Sequence, residues 1–192
     1  MFASPTAGQT RVVAAARSLV RRRGYAEVSL RQIAAAAGYS PAGLYAHFRG
    51  RSGILDALAD SVRRDLATAL KRAVEKEAEP VAQLVAAGLA YIAFALERPA
   101  EFEVLFRATR SRKRGRSDPG ESSFDLLRRI VRQAAPAASA DDIDAACLGL
   151  WSAAHGLANL RICHLAGLDL DWDSWSRRIL RQQAEKIACA KP

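Results

Sequence analysis

The sequence predicts an all-α fold of about nine helices. Three observations lead there. Ala, Leu and Arg are abundant while β-branched runs are few, which favours helix over strand. Apolar residues recur every three or four positions along most of the chain. Ser, Gly and Pro stand at the ends of those stretches, where caps and breakers belong. With 192 residues, 50% of them hydrophobic, the chain can bury a sizeable core and is not globally disordered.

The elements follow in order. From about Thr10, the residues Val13, Ala16, Leu19 and Val20 recur at helical spacing, after nine residues that read as a loose arm. Gly24 ends this helix because it accepts a left-handed backbone cheaply. Tyr25 then turns back towards the core. Ser29 caps a short second helix carrying Leu30, Ile33, Ala34 and Ala37, and Gly38 ends it. Ser40 caps a third helix with Pro41 at its first position, where a missing N–H costs nothing. That helix carries Leu44 and Tyr45 and is expected to run to Phe48. Two short helices across a tight Gly-containing turn form a helix-turn-helix pattern.

Ser52 caps a long fourth helix with Ile54, Leu55, Leu58, Val62, Leu66 and Leu70 on one stripe, fading near Ala78. A fifth runs from about Val81 to Glu97, and Pro99 ends it. A short sixth holds Phe102, Leu105 and Phe106. Residues 107–120 are basic and rich in Gly, Ser and Pro, and read as a mobile loop. A seventh holds Phe124, Leu127, Ile130 and Val131 and stops before Pro136. Ser139 caps an eighth over 140–165, and Gly167 separates it from a ninth over 171–188. No repeat or convincing strand is visible. The expected domains are 1–52, a three-helix helix-turn-helix unit, and 53–192, a larger helical unit.

The formal charge is +9, and it is unevenly placed. Residues 1–55 hold eight Arg against the single acid Glu27, a local charge of +7. Residues 107–121 carry a further +4, and the rest of the chain is slightly negative. Concentrated positive charge fits an anionic partner, although a solvated basic surface is the plain alternative. The cysteines Cys147, Cys163 and Cys189 show no CxxC spacing and fit a reducing cytoplasm. The N-terminus lacks a basic stretch followed by an apolar run, so no signal peptide is expected. The longest apolar stretch, Leu84 to Leu96, is shorter than the roughly 20 residues a bilayer needs and reads as a buried helix. The Arg110–Arg116 run has no adjoining apolar face, so no membrane role is expected.

No Gly-rich phosphate loop, Ser/His/Asp constellation or metal-ligand spacing is present, so neither catalysis nor a cofactor is expected. His164 beside Cys163 gives two potential ligands with no third nearby.

The run from Ser29 to Leu55 contains Ile33-Ala34-Ala35-Ala36-Ala37-Gly38, then Leu44-Tyr45-Ala46-His47-Phe48, then Arg51. It closely resembles the DNA-binding signature of TetR/AcrR-type regulators: an Ile-Ala-x-x-Ala-Gly turn, a Leu-Tyr-x-His-Phe recognition helix, then a Lys opening the fourth helix. Arg51 stands where that family usually has Lys. Charge is kept, but the geometry of a phosphate contact could change. Further on, Trp151-Ser-Ala-Ala-His155-Gly156 resembles the Trp-x-x-x-His-Gly motif of one subgroup, as does Pro99 followed by Phe102 and Phe106.

The resemblance implies a cytoplasmic DNA-binding regulator, acting as a homodimer on a palindromic double-stranded DNA operator and released by a small molecule. The helix Ser40–Phe48 would enter the major groove. Its outward residues are Ser40, Pro41, Ala42, Gly43, Tyr45 and Ala46. Pro41, Ala42 and Ala46 suit thymine methyls, and Ser40 suits a base or phosphate. Tyr45 and His47 match family positions that bond to phosphates. Ser29, Arg31, Gln32 and Arg51 would add rim contacts. Few of these are long base readers, so affinity is expected to be largely electrostatic. Leu30, Ile33, Ala34, Leu44 and Phe48 are assigned to the core.

In the family the last two long helices pair between protomers. Here Gly149 and Gly156 would allow close approach, and Trp151, Trp172 and Trp175 would bury large surfaces, unless they fill their own protomer's core. The effector would lie in the C-terminal unit, with Tyr91, Phe94, Phe102, Phe106 and Trp151 as an apolar lining and His155 as a polar anchor. Acids are scarce there beyond Glu101 and Glu103, so a neutral or anionic apolar effector is expected. The alternative is a ligandless, constitutive regulator or an activator.

Overall fold

The computed structural model describes residues 6–107, 122–165 and 167–189. Among the described residues it is all-α, with nine helices and no strand. They are α1 (Ala7–Arg23), α2 (Leu30–Ala37), α3 (Pro41–Leu44), α4 (Gly50–Val74), α5 (Pro80–Glu97), α6 (Pro99–Arg107), α7 (Ser123–Ala134), α8 (Ala140–Asn159) and α9 (Trp172–Cys189). A π-helical turn, Leu160–His164, continues α8. The basic run expected to form a loop lies, beyond Arg107, outside the described residues, as do residues 1–5.

The chain divides into two compact units. The first holds residues 6–64 and 98–107; the second holds 65–97 and the described residues from 122 onwards. The sixth helix therefore belongs with the N-terminal helices. In the first unit Val12, Ala16, Leu19 and Val20 of α1 are buried, as are Ile33 and Ala34 of α2, Leu44 of α3, and Ile54, Leu55 and Leu58 of α4. Phe102 and Leu105 add the buried side of α6. The expected stripes on α1, α2 and α4 are core, with Val12 taking the place of half-buried Val13. Leu30, Phe48 and Tyr25 are half-buried.

Several helix ends differ from expectation, each for a local reason. α1 begins at Ala7, not near Thr10, because Thr6 and Gln9 form a reciprocal capping box. α3 ends at Leu44, well short of Phe48. Beyond it the bonds mix three- and four-residue steps, with the amides of His47 and Phe48 both donating to the Leu44 carbonyl. α4 begins at Gly50, ahead of Ser52, because Gly50 adopts φ 70° and redirects the chain at once. It stops at Val74, where the amides of Lys76 and Glu77 switch to three-residue steps. α8 ends at Asn159 rather than 165, giving way to the π-helical turn.

In the second unit, α5 is the central element. By length and composition it could cross a membrane, yet 44% of it is buried in this unit, Leu84, Val85, Ile92 and Ala95 among the buried residues. α5 meets α7, α8 and α9. A Cβ built on Gly88 would lie 2.8 Å from both δ carbons of Leu180, so this glycine permits the close approach of α5 to α9.

Candidate nucleic-acid interface

The helix-turn-helix is set by its caps. The Ser29 hydroxyl accepts from the Gln32 amide at 3.3 Å, while Gln32 Oε1 accepts from the Ser29 amide at 2.8 Å. Gly38 closes α2 in the left-handed conformation, with φ 73°. The Ser40 hydroxyl accepts from the Gly43 amide at 3.0 Å and starts α3. Ser29, Gln32 and Ser40 thus hold helix ends, a use that sequence reasoning recognised for both serines but not for Gln32.

Leu44 is the buried anchor of α3, at 1% exposure. Ser40, Pro41, Ala42, Tyr45 and Ala46 are exposed, and Gly43 is half-buried. Tyr45 is 64% exposed, an unusual setting for a large aromatic ring. Arg31 is exposed on α2.

The turn after α3 is braced by the start of α1. His47 stacks edge-on against Tyr39, with ring centroids 5.2 Å apart. Arg11 donates to the Tyr39 hydroxyl at 3.0 Å and lies 5.1 Å from the ring centroid. Gln9 Nε2 donates to the His47 carbonyl at 3.4 Å. A Cβ at Gly8 would come within 2.9 Å of the Tyr39 hydroxyl and 3.0 Å of the His47 ring. Sequence reasoning missed Gly8, Gln9, Arg11 and Tyr39, because contacts from 28 to 39 residues apart leave no periodic trace.

Arg51 departs most from expectation. Its Nε donates to the Val28 carbonyl at 2.5 Å and its Nη2 to the Tyr25 carbonyl at 2.7 Å. The guanidinium also lies 5.2 Å from the Tyr25 ring centroid. The head group is thus engaged by the protein's own loop.

In the second unit, α5 and α8 carry a polar chain. Trp151 Nε1 donates to the Tyr91 hydroxyl at 3.2 Å, and that oxygen lies 3.0 Å from His155 Nδ1. Asn159 Nδ2 lies 2.7 Å from His155 Nε2 and donates to the His155 carbonyl at 3.1 Å. The Asn159 amide nitrogen thus bridges the imidazole and the backbone of its own helix, while the other ring nitrogen faces Tyr91. Burial pushes the Tyr91 phenol up to about 12, against a lesser lowering from Trp151. Burial pushes the imidazole of His155 down, favouring its neutral form. Of the expected effector residues, the structure joins Tyr91, Trp151 and His155. Phe94 is buried on the same helix as Tyr91. Phe102 and Phe106 belong to the first unit, where their rings pair at 5.1 Å. Asn159 was missed, although its spacing of four from His155 on one helix was a usable signal.

Residues 12–58 match the family of bacterial regulatory proteins of the tetR type, and residues 84–182 match its tetracyclin repressor-like C-terminal domain. The chain belongs to the TetR family of DNA-binding transcriptional regulators.

Solved structures agree with this TetR-family fold. A protein of unknown function from Rhodococcus sp. RHA1 is 30% identical, with a TM-score of 0.72 over 95% of this chain and 94% of that one. A regulatory protein of the tetR family from Rhodococcus RHA1 is 21% identical, with a TM-score of 0.66 over 97% and 100%. RolR, solved with resorcinol, is 18% identical, with a TM-score of 0.64 over 96% and 94%. No curated protein matches the sequence. Among the described residues, no group of three or more His, Cys, Asp or Glu is placed to hold a metal ion.

Proposed function

We propose that this TetR-family chain represses transcription as a homodimer on a palindromic operator and leaves it when a small molecule binds. The observation that carries the DNA-facing assignment is Tyr45, 64% exposed directly beyond α3 and unneeded by the core. Around it lie Ser40, Pro41, Ala42 and Gly43, with Arg31 on α2 and His47 in the following turn, within a segment of charge +7. A small-residue surface with one polar aromatic suits methyl contacts, a phosphate bond and the shape of the groove.

Dimerisation is supported by the outer faces of α8 and α9. Leu148, Trp151 and Trp175, with Leu160 in the π-helical turn that continues α8, are each at least 40% exposed. A Cβ on Gly149 or Gly156 would meet nothing within 4 Å, which leaves room for a second backbone. Exposed apolar residues beside open glycines suit a self-complementary helical interface.

The effector reading rests on the Tyr91–His155–Trp151 chain together with Phe94. A neutral imidazole and a protonated phenol suit an uncharged or anionic apolar molecule better than a cation. RolR, a protein of the same fold, was solved with resorcinol, which is in keeping with this reading.

Selection of bound duplexes from a random DNA pool tests the main reading. Enrichment of sites with two-fold symmetry, half-sites about one or more helical turns apart, is the expected result. A pool that stays random after several rounds would refute DNA binding. A monomeric mass at micromolar concentration would refute the dimer, and a thermal-shift screen stabilised by cations alone would refute the effector class.

A further inference from the structure

The loop 24–29 joins α1 to α2, the first helix of the helix-turn-helix pair. It leaves α1 through Gly24, whose φ is 82°, and ends at Ser29, the cap of α2. Val28 is 1% exposed, and the loop's carbonyls must find donors. Arg51, the second residue of α4, supplies them for Tyr25 and Val28 and rests against the Tyr25 ring. One side chain thus makes three contacts to one loop and ties the start of α4 to the start of α2. The Nε and Nη2 edge of the guanidinium, well shaped for a bidentate anion contact, is taken up inside the protein.

A second cation closes the arrangement. Arg107 of α6 lies 5.6 Å from the same Tyr25 ring and pairs with Glu103 at 2.5 Å. Tyr25 is thus contacted by cations from both α4 and α6 of the same unit. An ammonium cannot reproduce the fork that Arg51 presents to two carbonyls and a ring.

We infer that Arg51 is a positioning residue for DNA binding, which acts through the loop and α2 start that it holds and not as a phosphate ligand. This rests on the DNA-binding reading above. A positioning residue and a phosphate ligand differ in two measurable ways. Each phosphate contact contributes roughly 0.9 to the slope of log affinity against log salt, whereas a positioning residue contributes nothing to that slope. The point charge of Lys can also hold a phosphate, with altered geometry, whereas it cannot clamp two carbonyls and a ring at once.

The experiment uses the full chain and a duplex selected from the random pool, titrated over a salt series below the melting temperature of each protein. Arg51→Lys and Arg51→Gln are each expected to weaken binding about tenfold, with the wild-type salt slope. Tyr25→Leu removes the ring but no charge, and is expected to lose several-fold at the same slope; it serves if the Arg51 variants fail to fold. Arg31→Gln, on an exposed charge, is the control expected to flatten the slope. Arg51→Lys binding as tightly as wild type, a slope for Arg51→Gln lower by about 0.9, or wild-type affinity for Tyr25→Leu would overturn the inference. If the wild-type chain selects no duplex, the DNA-binding reading itself falls.

Discussion

Glu101 of α6 is buried to 1% exposure, with its Oε2 3.3 Å from Nη1 of Arg17 on α1. Arg21 adds a second charge at 3.6 Å. Oε2 makes no hydrogen bond, so the contact holds by charge more than by direction. Breaking a fully buried pair typically costs about 3–5 kcal/mol. Here Arg17 is 24% and Arg21 66% exposed, so water screens part of the interaction. Glu101→Ala is therefore expected to destabilise by about 2 kcal/mol, a fall in melting temperature of roughly 4–8 °C. An unchanged melt would show that α6 is held by its apolar face alone.

His155 ties stability to pH. Burial holds its imidazole below the ordinary value of 6.5 in the folded chain. The unfolded chain therefore binds the extra proton more readily. Stability is full above about pH 6.5 and falls as the pH drops below it. Burial is the reason: the ring is enclosed between Tyr91 at Nδ1 and Asn159 at Nε2. Urea midpoints are expected to decline from pH 7.5 to 5.5, and His155→Gln should flatten that decline. An equal decline in the variant would place the pH dependence elsewhere.

Some of this was legible in the sequence because capping is local. Ser29, Ser40 and Ser139 start helices where expected, and Gly24 and Gly38 end them. The apolar stripe of α4 is buried throughout, since a 3.6-residue period is a direct statement about one face. The capping box at Thr6 was equally local, and its Thr-x-x-Gln spacing could have been read. What stayed hidden depends on distant partners. Glu101 read as one of two acids bordering a helix, because Arg17 lies 84 positions away in sequence. Arg51 read as a rim contact to DNA, since nothing nearby in sequence shows that the Tyr25 and Val28 carbonyls accept from it. Trp151 reads from sequence as core or interface, yet it is 40% exposed while its indole N–H is held by Tyr91.

Tyr45 separates binding from folding. Its ring is 64% exposed, so Tyr45→Ala should leave stability within about 0.5 kcal/mol of wild type. Loss of a phosphate bond and ring contact should weaken duplex binding roughly tenfold. Tyr45→Phe divides the effect, because it removes only the hydroxyl. Wild-type affinity for Tyr45→Ala on the selected duplex would remove this residue from the interface.

Gly88→Ala sets two effects against each other. Replacing Gly by Ala within a helix favours the helix by about 1 kcal/mol. Against this, the new methyl would meet both δ carbons of Leu180 at 2.8 Å and its γ carbon at 3.3 Å. Rotating Leu180 about χ1 would carry both δ carbons away, but the side chain is fully buried, so it can turn only by displacing its neighbours or parting the helices. Overpacking of that kind typically costs about 1–3 kcal/mol. The clash should win, leaving Gly88→Ala less stable by about 1 kcal/mol. The paired variant Gly88→Ala with Leu180→Val shortens the opposing side chain and should recover part of the loss, a coupling that a double-mutant cycle measures. Strict additivity of the two changes would mean that α5 and α9 do not bear on each other at this point.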